Sequence, residues 1–138
     1  GRLEKVNSNL YPNFEIWIDV AHNKLGFSVL GDWIKKTNID NFYMILALGI
    51  KKDYLSIIKE IKKVNPKTLY IVSGKSFNSH NPKVIKIAAD KIKMRSAIFE
   101  DIFEALNNIK KVDNNYNKKK IIITGSIGLV GNFLDNIV

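Results

Sequence analysis

The sequence predicts an α/β domain, doubly wound around a mostly parallel sheet that opens with an antiparallel hairpin. Three observations carry this. Short β-branched runs alternate along the chain with amphipathic stretches of helical period, the rhythm of repeated strand–helix units. The run Phe42 to Leu48 is apolar without a break, as a strand covered on both faces is. The junctions between runs and helical stretches carry Asn, Asp, Gly or Ser, which cap helices or turn the chain. At 138 residues, with no interdomain linker or internal repeat, residues 1–138 are expected to form one domain.

Leu3-Glu4-Lys5-Val6 is a short extended segment, followed by a turn rich in Asn, Ser and Pro. A second extended run starts at Glu15, and the two are expected to pair as a hairpin. Trp17 to Val20 reads as the first firm strand, and Asn23 as the N-cap of a helix carrying Leu25, Val29, Leu30, Trp33 and Ile34. That helix fades at Lys35-Lys36-Thr37. After the strand Phe42 to Leu48 and Gly49, Asp53 can cap a helix with Leu55, Ile58 and Ile61. Pro66 separates this helix from a strand over Thr68 to Val72. A polar loop, Ser73 to Pro82, leads to a helix holding Val84, Ile85, Ala88, Ala89 and Ile92. Ala97-Ile98-Phe99 is a short strand, and Ile102, Phe103, Leu106 and Ile109 mark the next helix. A basic loop, Val112 to Lys120, precedes the β-branched strand Lys120 to Thr124. Gly125-Ser126 then opens a last helix running through Leu134 to Val138.

Composition narrows the function. With 46% hydrophobic and 25% charged residues the chain is a globular protein rather than a disordered one. It has no run long enough to span a membrane and no signal-peptide pattern. The absence of cysteine removes disulfides and thiolate metal sites and suits a cytoplasmic location. Two histidines, without carboxylates at ligand spacing, do not suggest zinc. The net charge of +9 invites a polyanion, yet nearly all of it is lysine, and Arg2 and Arg95 are the only arginines. Base reading leans on the planar fork of arginine, so solvated surface is the better account of the lysines. The chain begins at Gly1 rather than methionine, as a processed product or a piece of a longer protein would.

Two loops imitate nucleotide motifs. Ser73-Gly74-Lys75-Ser76 ends like a P-loop, but that pattern requires a glycine at the position of Leu69, where a strand runs. Thr124-Gly125-Ser126-Ile127-Gly128-Leu129-Val130-Gly131 resembles a dinucleotide-binding glycine loop. Such a loop begins its fold and is followed about twenty residues later by a ribose-binding acid. Here the chain ends at Val138. Gly128 and Gly131 fit either close helix packing or an anion contact, and Ser126 fits either a cap or a ligand group. Asp19, His22 and Asn23 lie where a strand ends and a helix begins, the edge at which open α/β sheets bind ligands. By pattern alone they form either a capped turn or a site, in which an acid accepts ribose hydroxyls and an imidazole meets a phosphate or carboxylate.

Four segments occur in order: Gly1-Arg2-Leu3-Glu4, Asp19-Val20-Ala21-His22-Asn23, Leu48-Gly49-Ile50-Lys51-Lys52-Asp53, and Thr124-Gly125-Ser126-Ile127-Gly128-Leu129-Val130-Gly131. Together they resemble the C-terminal domain of folylpolyglutamate synthase, often bifunctional with dihydrofolate synthase, a Rossmann-like domain of the Mur ligase superfamily. Val20 stands where that family usually has glycine, Lys24 where it has proline, and Gly128 where it has an aromatic residue. Val20 bears most on loop geometry, because a β-branched residue cannot take a glycine-only backbone shape.

The resemblance implies a cytoplasmic, monomeric parent enzyme that uses ATP and Mg2+ to phosphorylate a folate or dihydropteroate carboxylate. The acyl phosphate then passes to the amino group of L-glutamate. The P-loop and the magnesium ligands are expected in an N-terminal domain outside this chain, so the chain alone is expected to be inactive. Carried over, Arg2 and Asp19 contact ATP, with Arg2 near the phosphates or base and Asp19 on the ribose. His22 is the candidate catalytic group, near the terminal phosphate or the incoming glutamate, and Ser126 helps hold glutamate. Two other readings stand beside this one. The first is the C-terminal domain of a Mur-type peptidoglycan ligase. The second is a non-catalytic nucleotide- or nucleic-acid-binding module, resting on the charge and the glycine-rich last turn.

Overall fold

A computed structural model of the chain describes residues 3–74, 78–114 and 117–137. The elements run β1 (Glu4–Val6), β2 (Phe14–Ile18), α1 (Lys24–Lys36), β3 (Phe42–Leu46), α2 (Tyr54–Val64), β4 (Leu69–Val72), α3 (Pro82–Lys91), β5 (Ser96–Phe99), α4 (Ile102–Val112), β6 (Lys119–Thr124) and α5 (Ile127–Ile137). The strands form one sheet in the order β1-β2-β6-β3-β4-β5. Only β1 is antiparallel to its neighbour, with Glu4 opposite Ile18 and Val6 opposite Ile16. This is the expected hairpin on a mostly parallel sheet.

Period-two alternation divides the core between two faces. Phe42, Met44, Leu46, Leu69, Ile71 and Ile122 point to one side, under Phe27, Leu30 and Ile34 of α1, Ile57, Ile58 and Ile61 of α2, and Ile85 and Ala89 of α3. Tyr43, Ile45, Tyr70, Val72, Ile121 and Ile123 point to the other, under α4 and α5. Helices therefore cover both faces, and the whole run Phe42 to Leu48 is buried as its composition requires. No helix among the described residues is long and apolar enough to cross a membrane.

Local chemistry sets the element ends. Asn23 Oδ1 accepts the Gly26 N–H at 2.8 Å, Asp53 Oδ1 that of Ser56 at 3.3 Å, and Asp101 Oδ1 that of Glu104 at 2.9 Å. Asn65 ends α2 in the left-handed region (φ 53°), and Pro66 prevents continuation. Two details differ from the sequence reading. The first strand ends at Ile18, because the Asp19 side chain turns to accept the Ala21 N–H and bends the chain out of the ladder. In α1 and α2 the core faces are Phe27-Leu30-Ile34 and Ile57-Ile58-Ile61, whereas Leu25 (73% exposed) and Leu55 (52%) stand in the first turns facing solvent.

The chain passes from β2 through α1 to β3, skipping a place that β6 fills at the end. Strands β2 and β3 are followed by helices on one face, and β6 by α5 on the other. The carboxyl ends of β2, β6 and β3 therefore flank a crevice at a topological switch point.

Candidate functional site

Asp19 follows β2 directly. Its N–H donates to Ile123 O of β6 at 3.1 Å, so the residue is held against β6 although the ladder has ended. Its Oδ1 accepts the Ala21 N–H at 2.7 Å, whereas Oδ2 is shut off from solvent without a hydrogen-bond partner. The residue is 4% exposed. Burial pushes its carboxyl above the ordinary 3.8, the Ala21 N–H opposes that, and Glu4 adds to it.

Thr124 ends β6, one step beyond the Ile18–Ile123 pair and hence beside Asp19. It is fully buried, and its Oγ1 also has no partner. A buried hydroxyl or carboxylate oxygen without a hydrogen bond costs about 1–3 kcal/mol, so two such atoms at one strand end need a reason. Gly125 follows at φ +112°, and a Cβ there would stand 2.1 Å from Ala47 O of the β3 exit. Only glycine lets β6 pass this close to its neighbour and turn into α5.

Ser126 caps α5: its Oγ accepts the Leu129 N–H at 2.9 Å. The hydroxyl keeps its proton and a second lone pair for a ligand, so the cap and ligand readings are compatible. The positive end of α5 lies at the same crevice. Close packing does not account for Gly131, where a Cβ would meet nothing within 4 Å. Nothing in the structure explains a glycine there.

His22 stands on the rim, exposed, with Nδ1 3.1 Å from Val20 O. A carbonyl only accepts, so Nδ1 carries the hydrogen and Nε2 is left for a ligand. Asn23 keeps its cap. Val20 is not among the residues of positive φ, so a β-branched side chain is tolerated where a glycine backbone was the concern. Asp53 is held below the ordinary carboxylate range first by its bonds to Ser56, and Lys24 contributes from the start of α1. The topology brings Asp19 and Ser126 together, with His22 at the edge. Arg2 and the Lys75-Ser76 part of the P-loop imitation lie outside the described residues.

Sequence reasoning missed the state of Thr124. The only signal was a lone hydroxyl ending the run Ile121-Ile122-Ile123.

Residues 3–136 match the family model "Dihydrofolate synthetase, C-terminal domain". The chain belongs to this family. The four ordered motifs pointed to the same relatives. No curated protein sequence matches the chain. Among solved structures, this dihydrofolate synthetase C-terminal domain is similar to Mycobacterium tuberculosis folylpolyglutamate synthase complexed with ADP, at 20% identity and a TM-score of 0.72, covering 96% of this chain and 31% of that one. It is similar to E. coli FolC in complex with DHPP and ADP, at 14% identity and a TM-score of 0.76, covering 96% and 30%. A bifunctional folylpolyglutamate synthase/dihydrofolate synthase with Mn, AMPPNP and L-glutamate bound shares 14% identity and a TM-score of 0.72, again covering 96% and 30%. At these identities the likeness establishes the fold, and the domain spans about a third of each structure's length.

Proposed function

We propose that the chain is the ATP- and glutamate-contacting C-terminal domain of a longer, two-domain folylpolyglutamate/dihydrofolate synthase. The observation that carries this is the pair of dry, unpartnered oxygens, Asp19 Oδ2 and Thr124 Oγ1, at the switch point of a domain of this family. In the reaction a folate carboxylate oxygen attacks the terminal phosphorus of ATP, and ADP leaves. The amino group of glutamate then attacks the acyl phosphate carbon, phosphate leaves, and the nitrogen loses a proton as the amide forms.

In this reading Asp19 accepts the ribose hydroxyls, whose bonds repay its desolvation. Thr124 supplies a neighbouring hydroxyl, and Ser126 donates to a glutamate carboxylate from the positive end of α5. His22 offers the Nε2 lone pair to the amino group of the incoming glutamate or, with Nε2 protonated as well, donates to the terminal phosphate, and Arg2 reaches the phosphates or base. ADP, AMPPNP and L-glutamate in the similar structures support these ligand classes. Large apolar side chains left exposed around the crevice, Leu25, Ile50, Leu55 and Ile127, support closure of a further domain over this edge.

The chain does not by itself fit a magnesium ion. Among the described residues no three His, Asp or Glu side chains converge, and Mg2+ demands a near-octahedral oxygen shell. Its ligands belong, in this proposal, to the other domain, and no step above depends on them.

The test is Asp19→Ala in the full-length enzyme, assayed for ATP-dependent glutamate ligation to folate. A fall of at least about a hundredfold is expected when a hydrogen-bonded charged group in the nucleotide site is removed. Wild-type rates, or tight salt-sensitive DNA binding that the variant leaves intact, would overturn the assignment.

A further inference from the structure

The amino edge of the sheet, opposite the crevice, gathers lysines of two kinds. In a parallel α/β fold the helices end where the strands begin, and the last turns of α1, α2, α3 and α4 all carry lysine. Those lysines complement the negative helix ends and need no ligand. Four others on the same edge lie outside the helices: Lys67 before β4, Lys118 before β6, and Lys119 and Lys120 opening β6. With Asp40 before β3 and Asp113 after α4 they line a cleft of about 370 Å3. That is within the range of small-ligand sites, roughly 300–1,000 Å3.

The backbone holds these lysines in place. Lys67 N–H donates to Phe42 O at 2.8 Å and Lys119 N–H to Asn13 O at 3.0 Å, while Lys120 stands opposite Phe42 in the β3–β6 ladder. Their charges are only partly met. Lys120 Nζ lies 3.0 Å from Asp40 Oδ1. Asp113 Oδ2 is shared, accepting from Tyr43 Oη at 2.9 Å and from Lys67 Nζ at 3.4 Å, and Lys67 Nζ also stands 5.0 Å over the Tyr43 ring. Burial pushes the Asp113 carboxyl up, but the Tyr43 hydroxyl, Lys67 and Lys119 bring it below the ordinary carboxylate range. Lys119 thus adds its charge at the same group, and it is only 8% exposed, which is rare for lysine. Lys118 forms no ion pair among the described residues. Four lysines against two aspartates leave an excess of two positive charges around one cleft. Like charges gathered in a concave, partly desolvated place focus their field and draw in a counter-anion.

We propose that this amino-edge cleft binds a compact oxyanion of two or more negative charges, with Lys67, Lys118, Lys119 and Lys120 its cations. Among the described residues no arginine lines it, so the anion meets point charges rather than a planar fork. Phosphoryl groups and polycarboxylates share that chemistry. Asp40, whose side chain is 76% exposed, stands on the rim and repels an extended polyanion laid along the edge, which favours a compact one. The cleft lies at the far end of β6 from Thr124, about 17 Å away at the rise of a strand, so it stands or falls apart from the nucleotide and glutamate reading.

The test titrates the 15N-labelled 138-residue chain with pyrophosphate and with citrate, separately and at constant ionic strength, following backbone amides. One of the two is expected to shift residues 40, 67, 113 and 118–120 saturably, and whichever binds more tightly identifies the source. Lys118→Gln/Lys120→Gln should weaken that ligand about tenfold or more, as loss of charge-assisted hydrogen bonds does. Lys118→Gln alone, which breaks no ion pair, should weaken it severalfold. Lys35→Gln/Lys36→Gln removes the same charge from the last turn of α1 and, outside the cleft and screened by salt, should change the Kd by less than about twofold. Equal weakening by the two double variants would mean diffuse attraction to the edge and would overturn the site. So would shifts that fail to saturate or that avoid these residues. A DNA duplex that displaces the anion and also shifts the last turns of α1 to α4 would overturn the compact-anion reading in favour of a nucleic-acid surface.

Discussion

Replacing Thr124 by valine exchanges a hydroxyl for a methyl in a side chain of nearly the same shape. Both residues are β-branched, with similar rotamer and strand preferences, so the change isolates the hydroxyl. Thr124 is wholly buried and its Oγ1 has no partner. Leaving such a group dry costs about 1–3 kcal/mol in folded proteins, and the added methyl contributes a further ~0.8 kcal/mol if it fits. Thr124→Val should therefore stabilise the domain by about 2–4 kcal/mol, which at this length is a rise in Tm of roughly 7–14 °C. Calorimetry and urea titration check the number. The same variant should lose part of its response to ADP, which at a hundredfold excess over Kd adds about 2.7 kcal/mol to a protein that binds it only when folded. An unchanged or lowered Tm would mean that the hydroxyl finds a partner in solution and is not held open for a ligand. A raised Tm with undiminished ADP stabilisation would mean that the unpartnered oxygen lies off the nucleotide path.

Asp19→Asn should show a related exchange with a pH signature. Burial first raises the folded pKa above 3.8, so the folded chain holds a proton that the unfolded chain has lost. Wild-type stability then falls as pH rises from the unfolded pKa through the folded one, and stays lower above it. The amide variant lacks this loss, so urea titrations should find its advantage larger at pH 7 than at pH 3, together with weakened ADP binding. Gly125→Ala places a Cβ 2.1 Å from Ala47 O at φ +112°, and strain with overpacking should cost roughly 3–5 kcal/mol, read as a collapse of the urea midpoint. Asn23→Ala removes the Oδ1 that accepts Gly26 N–H and should cost about 1 kcal/mol, with Asn23→Gly losing only a few tenths.

The elements were legible because periodicity and caps are local properties. The run Phe42 to Leu48, the caps Asn23 and Asp53, and the stop at Pro66 each act within a few residues. Helix faces were less legible. Apolar Leu25 and Leu55 sit at positions that periodicity assigns to a core, yet both stand in first turns beside the crevice, where this chain leaves apolar groups uncovered. The strand order was not legible at all, because no local pattern says that the last strand enters between the second and the third.

That insertion creates the candidate site. With β2 beside β3, both followed by helices on one face, the sheet would have no switch point there, and Asp19 would end an ordinary strand. The entry of β6 sets Ile123 O under the Asp19 N–H and brings Thr124 alongside. It also presses the β6 exit against Ala47 O, where glycine alone fits. The motif residues read from the sequence as separate polar positions are thus consequences of one long-range pairing. Their cost points the same way. A domain selected only to fold would place valine at Thr124 and a neutral side chain at Asp19 without altering a single strand contact. The two buried, unpartnered oxygens persist at the carboxyl ends of β2 and β6, the switch point at which open α/β sheets take their ligands.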